Sequence, residues 1–298
     1  MAGKTGSLHA INPIVPELTA NKTIGLQIYS LFKELYENVP AGLKRVKDMG
    51  YTNLELAGYR DGKISDIDMM EFKKMADDAG LKITSSHVNP PVREYTPENR
   101  SQINEYWKKT ADDHAKLGVK YLIQPGQPST RSAEEVSYVC DVFNEAGKIT
   151  KAAGLSWGYH NHEMEFARVI PGGTASVFGR HGFGREVKDQ EVIYDAFLRQ
   201  TDPSLVFFEL DVYWTVMGQN DPVEYLRKYP QRIRVLHIKD RAILGQSGMM
   251  NFEQIFKQAY TNGISDYFVE LKKMPDNRTQ FEGIKGCVDY LLQASFVK

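Results

Sequence analysis

Residues 81–124 read LKITSSHVNPPVREYTPENRSQINEYWKKTADDHAKLGVKYLIQ. Residues 81–88, LKITSSHV, have the short, β-branched and apolar character of a strand. Thr96 then takes an N-cap place, with Pro97 at the first helical position and Glu98 in the first turn. The helix so begun runs to Leu117, and Gly118 closes it. Residues 119–124, VKYLIQ, form a second strand. A strand, a crossover helix and a strand are the unit of a parallel sheet.

The same unit recurs on both sides. Upstream, 23–30 (TIGLQIYS) is a strand, and Leu35, Val39, Leu43, Val46 and Met49 recur at helical spacing over 32–49, with Pro40 marking a second possible start and Gly50 the end. Residues 52–57 (TNLELA) are the next strand, and Ser65 or Asp66 caps a helix to Ala79. Downstream, Ser132 and Glu135 form a capping box for a helix to Ala153. Strand five is 155–159 (LSWGY), strand six 204–211 (SLVFFELD), strand seven 233–238 (IRVLHI) and strand eight 266–271 (DYFVEL). Asp221-Pro222 starts a short helix, Asn251 caps one over 252–262, and a last helix spans about 277–292. Eight short strands, each an apolar run suited to burial on both faces, predict an α/β fold, a single (β/α)8 TIM barrel over 23–298 behind an arm at 1–22. The alternative, a doubly wound open sheet, wants a glycine-rich turn after strand one, where this chain has SLFKEL. One connection is unusually long: between Phe166 and Val192 lies a segment with five glycines, placed to act as a flap over the strand ends.

Composition sets the outer bounds. The 298 residues are 42% hydrophobic and 25% charged, with a net charge of −1 and no basic block, which argues against a nucleic-acid partner. No apolar run is long enough to span a bilayer. The opening MAGKTGSLHAINP lacks the apolar core of a signal peptide, which points to the cytoplasm, with the periplasm open if a signal was removed. Cys140 and Cys287 fall in helical segments and read as buried free thiols. Pairing of two copies through exposed helices is an expectation that light scattering tests.

In barrels of this kind chemistry collects at the C-terminal strand ends. Those ends carry Gln27, Glu55, His87, Gln124, His160 with His162, Asp211, His237 and Glu270. Any one could be structural: Asp211 a helix cap, His237 a core histidine, Glu270 a surface carboxylate. Four successive ends bearing ligand types point instead to one divalent metal held by His160, Asp211, His237 and Glu270. Mixed nitrogen and oxygen ligands suit Mn, Co, Zn, Fe or Mg.

Taken together, GLQIYSL, NLELAGY, SSHV, GYHNHEMEF, ELDVYW, LHIKD and VELKK resemble the xylose isomerase-like TIM-barrel superfamily, in its sugar phosphate isomerase/epimerase branch, which includes D-tagatose 3-epimerase and inosose dehydratase relatives. The resemblance covers nearly the whole barrel. It implies a metal-dependent sugar isomerase or epimerase that removes a proton beside a carbonyl through a metal-bound enediolate. Sugar epimerases of the family carry a carboxylate at the strand-five place; this chain has His160, as in the His-x-His stretch of inosose dehydratase-like members. That difference keeps a dehydratase or lyase acting on a keto-sugar, keto-inositol or keto-glycoside as the alternative. A non-catalytic sugar-binding barrel is the rival of another class. The resemblance gives Glu270 the roles of ligand and base. His87, Glu163 and Lys239 are candidates for a second proton transfer, and Glu55, Gln124, Gln27, His162 and Trp214 for contacts to a small carbohydrate.

Overall fold

The computed structural model describes residues 22–169, 190–272 and 274–298. The expected arm, Lys22 apart, and the expected flap, all but its ends, lie outside them.

Eight parallel strands close into a barrel. They are β1 (Gly25–Gln27), β2 (Asn53–Leu56), β3 (Lys82–His87), β4 (Tyr121–Gln124), β5 (Ser156–His160), β6 (Val206–Asp211), β7 (Ile233–Ile238) and β8 (Asp266–Val269). Each pairs with its sequence neighbours, and β1 pairs with β8 to complete the ring. The (β/α)8 expectation therefore holds.

Alternation along the strands sorts the side chains. On β6, Phe208 and Leu210 join the shell packed against the helices, while Phe207 belongs to a small interior cluster with Tyr121, Ile123, Val235 and Phe268. That cluster is the barrel floor. Gly158 and Gly25 sit over it because a Cβ at either would lie 2.5 Å from the Phe207 ring or 2.4 Å from the Phe268 ring. Above the floor the inward positions turn polar, and the site begins there.

Local differences from the sequence reading have local causes. The helix over 32–49 is two helices, Lys33–Glu37 and Val39–Asp48, because the Asn38 side chain caps the second by accepting from Ala41 N, with Pro40 in its first turn. Neither Ser65 nor Asp66 is a cap. Residues 59–68 form a small three-stranded antiparallel sheet, and Asp68 caps Met69–Asp78. Ser132 caps Ala133–Ala152, but the Glu135 carboxylate takes the N–H of Arg131 rather than that of Ser132, so the box is half formed. The last helix, Gln280–Gln293, starts later than expected, at a full capping box of Thr279 with Glu282. The Lys22 ammonium donates to the carbonyls of Leu291, Leu292 and Ala294, tying the start of the barrel to its end. Both cysteines are buried and free. No helix among the described residues is long and apolar enough to cross a membrane.

Candidate active site

Two tiers of polar groups fill the upper barrel. In the lower tier Glu55 and Glu209 are both fully buried. Glu55 Oε1 lies 2.6 Å from His237 Nε2, and it also accepts from Gln27 Nε2 at 2.9 Å. Its Oε2 accepts from Ser85 Oγ at 2.6 Å. Glu209 Oε2 lies 3.0 Å from His160 Nδ1 and 2.8 Å from His87 Nε2. Glu55 therefore takes up a ring nitrogen of His237, and Glu209 one each of His160 and His87. A histidine whose one nitrogen is held by a carboxylate turns its other nitrogen to the opposite side with a defined tautomer.

Those opposite nitrogens meet in the upper tier. His160 Nε2 is 3.9 Å from Asp211 Oδ2, and His237 Nδ1 is 3.8 Å from the same oxygen and 3.4 Å from Glu270 Oε2. The four ligand atoms all lie within 4.8 Å of one another. These separations are too long or too poorly aligned for hydrogen bonds. Asp211 Oδ2 and His237 Nδ1 are buried without a hydrogen-bond partner among the described residues. Two orphaned atoms close to two further ligand atoms fit a divalent cation of the kind the ligand types suggested. A second group, His87, His160, Glu209 and His237, also clusters, but most of its contacts are of hydrogen-bond length.

Burial and mutual charge set the ionisation of these groups. Burial, joined by the charges of His237 and His87, holds the His160 imidazole well below the usual histidine range, so it keeps a lone pair. Burial opposes a charge on His237, but Glu209 and Glu55 beside it hold it well above that range. Burial pushes Asp211 up to about 7. Burial would raise Glu270 too, yet the Lys239 ammonium, 3.1 Å from its Oε2, and His237 hold it well below the usual carboxylate range.

The pocket over this cluster has a volume of about 710 Å³. His87, His160, His162, Glu163, Trp214, Gln27 and Glu270 all line it. Asp211, His237 and Lys239 lie just beneath, with no exposed surface. Burial pushes His162 down to about 4, and its ring tilts against Trp214 at 5.6 Å. Lys272 stands over the same indole at 4.0 Å.

Three of the expected substrate contacts are engaged with other protein groups in the structure. Gln124 shares its face with Leu122, on the helical side of β4, where it accepts from Tyr95 and donates to Gly126 O. Period two along the strand turns Ile123 inward instead. Glu55 is directed at His237, Gln27 and Ser85, beneath the pocket. Gln27 reaches the pocket, but its amide is held by Tyr29 N, Glu55 and Leu56 O. Glu209 was missed. It stands two residues before Asp211 in FELD, and the i, i+2 rule that groups His160 with His162 puts these two carboxylates on one face as well.

Glu165 fixes the loop that carries His162 and Glu163. It is fully buried, accepts from Tyr159 OH at 2.5 Å and from His162 N at 3.0 Å, and burial pushes it up to about 7. A carboxyl that binds its proton more tightly when folded stabilises the fold below the unfolded value near 4.5, and that contribution is lost as pH rises through 7. The displacement corresponds to about 3 kcal/mol. In chelator-treated protein, urea unfolding at pH 5 and pH 8 should show a stability difference that shrinks by about 1–3 kcal/mol in Glu165→Gln. An unchanged difference would mean that Glu165 titrates as it does in the open chain.

Comparison with known proteins follows the same lines. A family model described as xylose isomerase-like TIM barrel matches residues 43–282. An inosose dehydratase of Clostridium tetani is 30% identical over 107 residues, 36% of this chain and 29% of that protein. Another, of Clostridium beijerinckii, is 27% identical over 205 residues, 67% of this chain and 65% of that protein. The matched parts thus span less than two thirds of these relatives. A solved sugar phosphate isomerase/epimerase from Parabacteroides distasonis ATCC 8503 superposes with a TM-score of 0.86 at 59% identity, covering 93% of this chain and all of that one. With a closed parallel barrel, a polar cluster at its C-terminal mouth and a family model matched over most of its length, this chain belongs to the xylose isomerase-like TIM-barrel family.

Proposed function

We propose that this protein is a metal-dependent enzyme that breaks the C–H bond beside the carbonyl of a keto-sugar, isomerising or epimerising it. The observation that carries the reading is the convergence of His160 Nε2, His237 Nδ1, Asp211 Oδ2 and Glu270 Oε2, two of them orphaned, at the floor of a sugar-sized pocket. A divalent ion held by these four would supply Lewis acidity toward a substrate carbonyl.

The chain's own residues do the rest. Glu270 is the base. Its close charged contacts, to Lys239 and His237, fall on Oε2, which leaves Oε1 for the substrate proton. A carboxylate held ionised is ready to accept that proton at neutral pH. Lys239, buried beside Glu270, keeps it charged and can return a proton to the product. Glu163, His162 and His87 also line the pocket and are the candidates for protonating a second carbon or a leaving oxygen. Glu55 and Glu209 orient His237 and His160. Trp214 offers an indole face at the rim.

A second reading is elimination. Both carboxylates of the lower tier are occupied by histidines, and the strand-five place holds His160 where a two-carboxylate exchange would put a second acid–base carboxylate. With one base and a neighbouring acid, loss of a β-hydroxyl or β-alkoxyl group is the simpler outcome. The similarity to inosose dehydratases supports this reading.

Incubation of Mn-, Co- or Zn-loaded protein with a keto-hexose, a keto-inositol and a 3-keto-glucoside in D2O tests both. Deuterium at the carbon next to the carbonyl is the expected result, and an unsaturated keto product or a released alcohol marks elimination. Loaded protein that exchanges no deuterium into any of the three would dispose of the reading.

A further inference from the structure

Beside the pocket over the metal-facing cluster, between the turn after β1 and the loop after β2, lies a second cavity of about 320 Å³. Tyr29, Ala57 and Gly58 line both spaces, and Ile28, Phe32 and Tyr36 make the second one apolar. We infer that this shelf is a subsite for the aryl or alkyl aglycone of a keto-glycoside whose sugar ring sits over the cluster. The inference rests on the proton-abstraction reading and adds the substrate class to it.

Three observations carry it. First, the shelf is exposed where a soluble fold would bury it: Tyr29 is 52% exposed, although its ring packs on Phe32 at 4.8 Å between centroids. An exposed tyrosine packed on a half-buried phenylalanine beside the pocket presents aromatic surface to a ligand. Second, Phe32 has φ 47° and ψ −130°, a conformation that suits glycine and is costly for a residue with a Cβ. Such strain is retained where the surrounding structure needs the side chain at that spot. Third, the shelf is wired to the metal-facing groups. Gln27 Oε1 accepts from Tyr29 N and Gln27 Nε2 donates to Glu55 Oε1, both at 2.9 Å, and Glu55 holds His237. The turn bearing Tyr29 and the tautomer of His237 are therefore set by one amide.

Size selects the occupant. A cavity of about 320 Å³ matches one ring or a short chain, and a stable protein contact needs roughly 800 Å² per partner. Both spaces together suit a sugar with a substituent, since pockets for such ligands run to about 1,000 Å³.

The test uses methyl and phenyl β-D-glucopyranoside, which lack the carbonyl and so bind without reacting. Titration calorimetry on the full, metal-loaded chain should show the phenyl glycoside binding about tenfold tighter or more, the effect of burying one aromatic ring. Phe32→Gly removes the ring and relieves the positive φ, so the fold is kept. In that variant the preference should fall to within about threefold through loss of phenyl glycoside affinity, and Tyr36→Ala should act in the same direction. Equal binding of the two probes to the wild type, binding of neither, or a preference that survives both substitutions overturns the subsite. So does a preference that appears only after residues 1–21 are deleted, which would assign the shelf to that segment, or a dimer lost in Phe32→Gly, which would assign it to a second copy. A phenyl preference without deuterium exchange into any keto-sugar keeps the subsite and removes the proton-abstraction reading alone.

Discussion

Glu270→Gln is expected to lower turnover of a keto-sugar by about 10³-fold or more, since it removes a general base and one charged ligand together. The substitution keeps the shape of the side chain and an oxygen facing Lys239, which lies 3.1 Å from Oε2 with no exposed surface. Lys239 makes an ion-pair contact but no hydrogen bond there, so the variant loses the carboxylate charge beside a buried ammonium, and the thermal midpoint should fall. Glu270→Asp separates the two roles: it retains the charge but withdraws it by one methylene. It should recover metal binding better than it recovers turnover. The measurement is kcat with solvent deuterium incorporation, beside metal content of the same samples. A Glu270→Gln protein that turns over within tenfold of the wild type would take the base role away from Glu270.

Asp211→Asn is expected to abolish tight metal uptake while leaving the metal-free fold intact. The reason is the division of labour within one carboxylate. Oδ1 accepts from Trp214 N at 2.8 Å and caps the helix Val212–Met217, and an Asn oxygen can do the same. Oδ2 is the orphaned atom facing His160 and His237, and an Asn amide there presents hydrogens to the ion. Elemental analysis after dialysis should find about one equivalent of a divalent metal in the wild type and little in the variant. A metal present at 100 times its dissociation constant adds about 2.7 kcal/mol of stability. For a chain of 298 residues that is a rise in melting temperature of about 4 °C. The rise should vanish in Asp211→Asn, whose metal-free midpoint should match that of metal-free wild type. A wild type that takes up no Mn, Co or Zn would sink the metal site and leave a sugar-binding barrel as the better description.

Both experiments rest on residues that stand at strand ends in the bare sequence, and that is no accident of this chain. Helix stops and starts are local events. Thr96-Pro97 and Gly118 act through their own backbone and cap geometry, so the rhythm of strand and helix can be read without tertiary knowledge. Once eight units are counted, the barrel follows, and the barrel dictates which end of each strand faces the mouth. His160, Asp211, His237 and Glu270 were legible for that reason. The sheet at 59–68 was not, because its short strands pair only with each other and carry no strong apolar period.

The α/β barrel, the strand-end positions of His160, Asp211, His237 and Glu270, and the lack of a basic block can all be read from the residues alone. Which strand-end residues share the interior depends on the closed barrel. Gln124 turned outward, because a strand reverses its side chains at each residue and the inward phase of β4 is set by what lies across the barrel. Glu55 and Glu209 are far apart in the chain, yet they meet around three imidazoles at the barrel axis. Their role as the groups that orient His237 and His160 comes from closure of the ring of strands, a long-range event that no local pattern records.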